Sequence, residues 1–217
     1  MDAYSIVNAL GGMLIITSLA IVLIKSPKNA AIMYSVQSVV LVGVFVALGT
    51  ATGSHELFTW AGTAFVMKVI IVPALIIFAC KKMGDAGSGL DPKISPIKTL
   101  VVIALEVLLC FVVVQGITLP TAEVVKPALA ISLAHFFIGL TCIVSQRNIV
   151  KQIFGYCLME NGAHVTLALL APQAPELVEI GITTDALFAV IILLVVAGRV
   201  YRQFNSLDAD KLTELKG

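Results

Sequence analysis

Runs of about twenty apolar residues, separated by short polar connections, recur seven times along the 217-residue chain, near positions 4–24, 30–50, 58–80, 97–116, 125–145, 149–171 and 181–201. A stretch of about twenty apolar residues is what an α-helix needs to cross the hydrocarbon core of a bilayer. The pattern predicts an all-α, polytopic integral membrane protein of about seven transmembrane helices, with one membrane domain spanning 1–217. Helices one to three fall in 4–80, a linker in 81–98, helices four to seven in 97–201 and a polar tail in 202–217.

Charge sets the orientation. Lys25 and Lys28 lie between the first two runs, Lys81, Lys82, Lys93 and Lys98 between the third and fourth, Arg147 and Lys151 between the fifth and sixth, and Arg199, Arg202, Lys211 and Lys216 after the seventh. The intervening connections hold His55 and Glu56, then Glu123 and Lys126, then Glu176 and Glu179. Positive charge thus alternates with connection number, and the positive-inside rule places the N-terminus outside and the linker and tail in the cytoplasm. Dropping one helix would put a basic connection on the wrong side. The N-terminal run reads as the first membrane helix and not as a signal peptide, because Asp2 stands where a basic region belongs.

Composition agrees with the patterning and excludes several functions. Hydrophobic residues make up 59% and charged residues 12%, against about 25% charged in ordinary soluble domains. A net charge of +1 without a clustered basic face gives no support for nucleic-acid binding. Cys80, Cys110, Cys142 and Cys157 sit in or at the end of four different runs with no C-x-x-C pair, so neither a zinc nor an iron–sulfur site is supported and they read as small packing residues. The glycines of the linker KKMGDAGSGLDPKISPIK lack the Gly-Lys-Ser/Thr of a phosphate loop and read as a flexible connection. The two halves of the chain show no internal repeat of the kind many transporters carry.

The polar residues inside the apolar runs carry the chemistry. Lys68, Glu106, His135 and Glu160 fall near the middle of the third to sixth runs, and Asp185 falls early in the seventh. Charge facing lipid at that depth is expensive, so four such residues on consecutive helices predict a polar layer through the bundle. Cys157, Glu160, Asn161 and His164 follow i, i+3, i+4 and i+7 and share one helix face, and this polar stripe is expected to hold a central proton carrier, Glu160, with Asn161 and His164 tuning or hydrating it. Structural readings stand beside this one. Lys68 and Glu106 can form a buried ion pair that only fixes helix register, His135 can be a packing residue, and Asp185 can be a first-turn acid favoured by the helix dipole. A haem held by His135 and His164 is disfavoured by their different depths. Pro73 cannot donate to the carbonyl of Val69 and is expected to loosen the helix beside Lys68.

Two resemblances extend the reading. The segment GLTCIVSQRNIVKQIFGYCLMENGAH, 139–164, is similar to the first-loop and second-helix region of the three-helix K-type subunit of respiratory complex I, with Gly139, Leu140, Thr141, Arg147, Asn148, Gly155, Met159 and Asn161 in common. The likeness covers 125–201, and TTDALFAVIILLVVAGR resembles that family's third helix. The family's third-helix Glu falls on Asp185, whereas its second-helix Glu falls on Cys157, one turn before Glu160. Over its whole length the chain resembles the component E family of hydrogenase-4, membrane subunits of formate-hydrogenlyase-type energy-converting hydrogenases. AFVMKVIIVPALI, SQRNIVKQIFGYCLMENG, APELVEIGITTDALFAVI and the closing SLDADKLTELKG carry this likeness.

That resemblance implies a non-catalytic subunit of an oxidoreductase complex in the bacterial inner membrane. It implies antiporter-like membrane subunits and a cytoplasmic [NiFe] hydrogenase module as partners, and nickel–iron and iron–sulfur centres in those partners with no cofactor, metal or redox centre in this chain. The expected proton or sodium path runs through Glu160, with Asp185 linking it to the outer side and Lys68, His135 and Glu106 continuing the polar axis. A membrane scaffold and a free-standing cation/proton antiporter are the alternative readings. The tail, with Leu207, Leu212 and Leu215 at helical spacing, fits either a docking helix or a surface helix.

Overall fold

The computed structural model of the protein describes residues 3–84, 90–118 and 123–212; Asp2, the middle of the linker, Leu215 and Lys216 lie outside the described residues. Within them, seven helices are long and apolar enough to cross a membrane: α1 (Ala3–Leu23), α2 (Pro27–Thr52), α3 (Glu56–Lys82), α4 (Pro96–Gln115), α5 (Lys126–Ser145), α6 (Ile149–Leu170) and α7 (Glu176–Phe204). The chain is a multi-pass, all-α membrane protein. Six of the helices begin and end within three residues of the hydropathy runs. The seventh starts five residues before the expected 181, and this difference matters for the site.

The helix ends follow local chemistry. Pro27 and Pro96 open α2 and α4, and Pro127 sits in the first turn of α5, where a missing N–H costs nothing. The Asn148 side chain caps α6 by accepting from the amides of Val150 and Lys151. Gly53 ends α2 at φ 68°, a left-handed conformation that glycine adopts without strain. In α3 the expected loosening is present: Phe65–Ile71 is π-helical. The carbonyl of Val69, which Pro73 cannot serve, accepts the Ser35 hydroxyl at 3.1 Å. Insertions of this kind inside α-helices mark functional sites more often than chance, and Lys68 lies within this one.

α5 and α6 pack backbone to backbone. A Cβ on Gly155 would lie 2.7 Å from the Gly139 carbonyl oxygen, and one on Gly162 would lie 2.5 Å from the Phe136 nitrogen. Small residues permit such close crossing in a membrane, where lipid tails offer no hydrophobic drive for helix association. α2, α5 and α6 form the interior of the bundle, while α4 and α7 are the least buried. The apolar core divides into two halves. One includes Leu14, Val44, Leu48, Trp60, Leu129 and Val165, and the other Ile21, Tyr34, Ile76, Ile138, Phe154 and Val190. Along each of α1, α2, α3, α5 and α6 the change from one half to the other is marked by buried polar residues: Ser18, Gln37 and Ser38, Lys68, His135, and Asn161 with His164.

The connections expected on one side do share one end of the bundle. Lys25 pairs with Asp91 at 2.7 Å, Lys93 with Asp210 at 2.7 Å, and the Lys93 amide donates to Ser145 O. Lys151 departs from the expected loop position. It is buried and donates to carbonyls at the C-terminus of α1, among them Ile24 O at 2.7 Å, where the helix dipole favours a cation.

The tail is not a surface helix over its described part. Leu207 is buried, and 207–209 pairs with the α5–α6 connection through Ile149 N to Leu207 O and Ala209 N to Arg147 O, followed by a single 3-10 turn, Ala209–Leu212. The Arg147 guanidinium grips Asp208 through both terminal oxygens, at 3.1 and 2.7 Å. Burial alone pushes the Asp208 carboxyl up, but the hydrogen bonds and charge of Arg147, with the Asp210 amide, hold it below the usual carboxylate range. A carboxyl lowered on folding contributes stability that is complete above its unfolded value, about 3.9, and is lost as pH falls through the folded one. Tail docking is therefore expected to hold at neutral pH and to loosen in acid below about pH 4. Hydrogen exchange at the Ala209 amide reads this directly: Asp208→Asn should speed exchange at neutral pH, and unchanged protection would assign the docking to Leu207 and the backbone alone.

Candidate functional site

The loosened turn of α3 aims Lys68 into the bundle, where its side chain is 3% exposed. Its Nζ lies 2.8 and 2.7 Å from Glu160 Oε1 and Oε2, 2.8 Å from Asn161 Oδ1 and 3.0 Å from His164 Nδ1. Glu160 and His164 lie one turn apart on the same face of α6 and Asn161 at the edge of that face, so all three reach one ammonium. A protonated Lys68 has three protons for these four acceptors, so the ammonium is fully engaged.

His164 continues the chain. Its Nε2 faces Glu179 Oε2 of α7, and the Thr183 hydroxyl donates to Glu179 Oε1 at 2.7 Å. With Nδ1 accepting from Lys68, the neutral ring carries its proton on Nε2, toward Glu179. Phe45 and Trp60 flank the imidazole at centroid distances of 4.9 and 5.4 Å, which fixes the ring and keeps its surroundings apolar.

In the other direction the Asn161 amide donates to Gln37 Oε1 at 3.1 Å, Gln37 Nε2 meets His135 Nε2 at 3.1 Å, and His135 Nδ1 meets the Ser18 hydroxyl at 3.0 Å. Ser18 donates to Leu14 O at 2.6 Å. With that proton used, His135 donates from Nδ1 and accepts at Nε2. The result is a hydrogen-bonded chain from Ser18 to His164, continued to Glu179 by a close contact, that draws on α1, α5, α2, α6, α3 and α7. Its members are almost fully buried except Glu160, whose side chain is 12% exposed beside a narrow crevice between α3, α6 and α7 lined by Met67, Tyr156 and Leu187.

The structure thus joins five of the sequence-predicted residues, Lys68, His135, Glu160, Asn161 and His164. Two stand apart. Glu106 accepts the Thr141 hydroxyl across the α4–α5 contact, so the buried partner of Lys68 is Glu160 and not Glu106. Asp185 is exposed on the outward face of α7 with Gly181, Thr184 and Phe188, and does not reach Glu160. The carboxylate that α7 turns inward is Glu179. Its signal was present in the sequence, since Glu179, Thr183, Ala186 and Val190 follow i, i+4, i+7 and i+11 and all are buried. Beginning the helix at 181 hid it. Gln37 was legible as a lone amide in the second apolar run. The His135 ring meets Ser18 and Gln37 through its two nitrogens, while His164 meets Lys68 through Nδ1 and turns Nε2 toward Glu179.

Comparison with known proteins places the chain in a family. The chain is 47% identical, over 219 aligned positions covering all of both chains, to hydrogenase-4 component E of Escherichia coli K12. The chain belongs to the hydrogenase-4 component E family. The component E of Shigella flexneri matches equally, and an uncharacterized protein of Mycobacterium tuberculosis is 26% identical over 97% of this chain and 96% of its own length. Within this component E family member, residues 127–217 match the family described as NADH-ubiquinone/plastoquinone oxidoreductase chain 4L. That region supplies α5, α6 and α7, and with them His135, Glu160, Asn161, His164 and Glu179. Lys68 and Gln37 come from the part of the component E chain that precedes the 4L-like region. No solved structure gives a significant match.

Proposed function

We propose that the chain is a membrane-arm subunit of an energy-converting [NiFe] hydrogenase, and that Lys68, Glu160, His164 and Glu179 carry protons through it. The observation that supports this reading is the contact chain itself: four titratable side chains follow one another within hydrogen-bond reach across α3, α6 and α7. With Lys68 charged, His164 neutral and both carboxylates ionised, the cluster carries one net negative charge. One further proton, shared among the four groups, balances it in a medium where uncompensated charge is expensive. Gain and loss of that proton is the elementary step. Glu160, beside the crevice, exchanges it with the surroundings, and the two nitrogens of His164 pass it between Lys68 and Glu179.

The arm toward His135 has a different role. Asn161 and Gln37 are amides and hold no exchangeable charge, so they fix the orientation of Lys68 and of the His135 ring without conducting. In this reading antiporter-like membrane subunits cover the exposed faces of α4 and of the first half of α7, a cytoplasmic hydrogenase module holds the nickel–iron and iron–sulfur centres, and the basic end of the bundle faces the cytoplasm of a bacterial inner membrane.

The test is Glu160→Gln in the assembled complex. The variant keeps an acceptor for Lys68 and leaves its charge offset by Glu179, so it is expected to assemble and evolve hydrogen, while proton translocation, read as a pH gradient in sealed vesicles, falls at least about tenfold. Translocation at the wild-type level would rule out Glu160 as a carrier. Copurification from mild detergent supplies the partner test: recovery of the intact chain alone would remove the hydrogenase assignment.

A further inference from the structure

Between the C-terminal halves of α3 and α7, where the two parallel helices reach the same membrane surface, lies a cleft of about 500 Å³. Its walls are apolar, including Leu75, Phe78 and Val195, and Phe78 and Val195 are 65% and 54% exposed. One end is rimmed by Lys82, Arg199 and Arg202, with Tyr201 half-buried beside them. At this end of the bundle Lys25 is matched by Asp91, Lys93 by Asp210 and Arg147 by Asp208. Among the described residues no ion pair or hydrogen bond engages Lys82, Arg199 or Arg202.

We infer that this cleft binds an anionic phospholipid, its phosphate held by Lys82, Arg199 and Arg202 and an acyl chain lying along Leu75, Phe78 and Val195. The charge pattern selects the occupant. A partner-subunit helix would cover the apolar walls and leave three cations to be neutralised separately, whereas one anionic lipid supplies the apolar chain and the negative headgroup at the spacing a membrane surface imposes. Basic pockets between membrane helices recognise anionic headgroups in this way, and the cleft volume lies in the range of ligand-sized sites. The bound lipid would act as a filler between α3 and α7, the two helices that carry Lys68 and Glu179.

The full-length chain, purified in mild detergent and offered equimolar phosphatidylglycerol and phosphatidylcholine, provides the test, with retained lipid counted by native mass spectrometry. Wild type is expected to retain phosphatidylglycerol in preference, and the preference should fall about fivefold for each of Lys82→Gln, Arg199→Gln and Arg202→Gln. Gly198→Trp separates the groove from the charges. A Cβ at Gly198 meets nothing within 4 Å, so the indole can occupy the cleft while all three cations remain. It should abolish retention of either lipid at this site. Equal retention of the two lipids by wild type, or undiminished preference in the triple glutamine variant, would overturn the assignment. So would crosslinking of Val195→Cys to a partner-subunit helix in the assembled complex with no lipid retained.

Discussion

Lys68→Met is expected to prevent the subunit from accumulating in the membrane. The substitution keeps an unbranched side chain of similar length, so packing in the π-helical turn changes little. It removes the donor that Glu160 has from α3 and leaves a carboxylate, Asn161 Oδ1 and His164 Nδ1 facing one another in an apolar interior. Removing one partner of a buried ion pair costs about 3–5 kcal/mol, a large share of a total stability of about 5–15 kcal/mol. The double variant Lys68→Met/Glu160→Gln separates the pair's structural role from its chemical one. With both charges gone the remaining polar groups pair with one another, and subunit levels should recover toward wild type. Proton translocation should not. Normal accumulation of the single variant would mean that the pair contributes little to stability. Recovery of both level and translocation in the double variant would reduce the pair to a device that sets helix register.

Glu179→Gln should abolish translocation without disturbing assembly. Glutamine has the same shape, can accept from His164 Nε2 with its oxygen while its amide donates to the Thr183 hydroxyl, and adds no buried charge. What it lacks is the ability to take the proton that His164 offers. Loss of a positioned proton acceptor is expected to lower the rate on the order of 100-fold or more. Asp185→Asn is the matched control on the same helix. Asp185 lies on the outward face of α7 and makes no contact with Lys68, His164 or Glu179 among the described residues, so its neutralisation should leave the internal transfer intact. Measured side by side as pH gradients per hydrogen evolved, a loss at Asp185 with none at Glu179 would show that the route leaves through the surface of α7 and not through its buried face.

These two experiments concern residues that the sequence treated unequally. Lys68 announced itself as a cation in an apolar run, with Pro73 marking the turn beside it. Glu160, Asn161 and His164 were legible as one face because helical spacing depends only on chain position. Glu179 was assigned to a connection because hydropathy places helix ends where charge begins. In a membrane protein a carboxylate satisfied from a neighbouring helix can instead sit inside the first turns of a helix.

The seven spans, their boundaries to within a few residues in six cases, the shared end of the basic connections and the presence of ionisable groups at mid-depth were determined by the sequence alone. Each follows from quantities local to one segment: its length, its hydropathy and its period. Only the tertiary structure decided that Lys68 pairs with Glu160 and not Glu106, that Gln37 joins Asn161 to His135, that Asp185 faces outward while Glu179 faces inward, and that the tail folds back onto Arg147. Depth and face on a single helix do not say which helix lies opposite. That choice is made by contacts distant in sequence, chief among them the α5–α6 seam, where Gly139, Gly155 and Gly162 let two backbones meet and so set the rotation of every polar residue that α6 presents to the bundle.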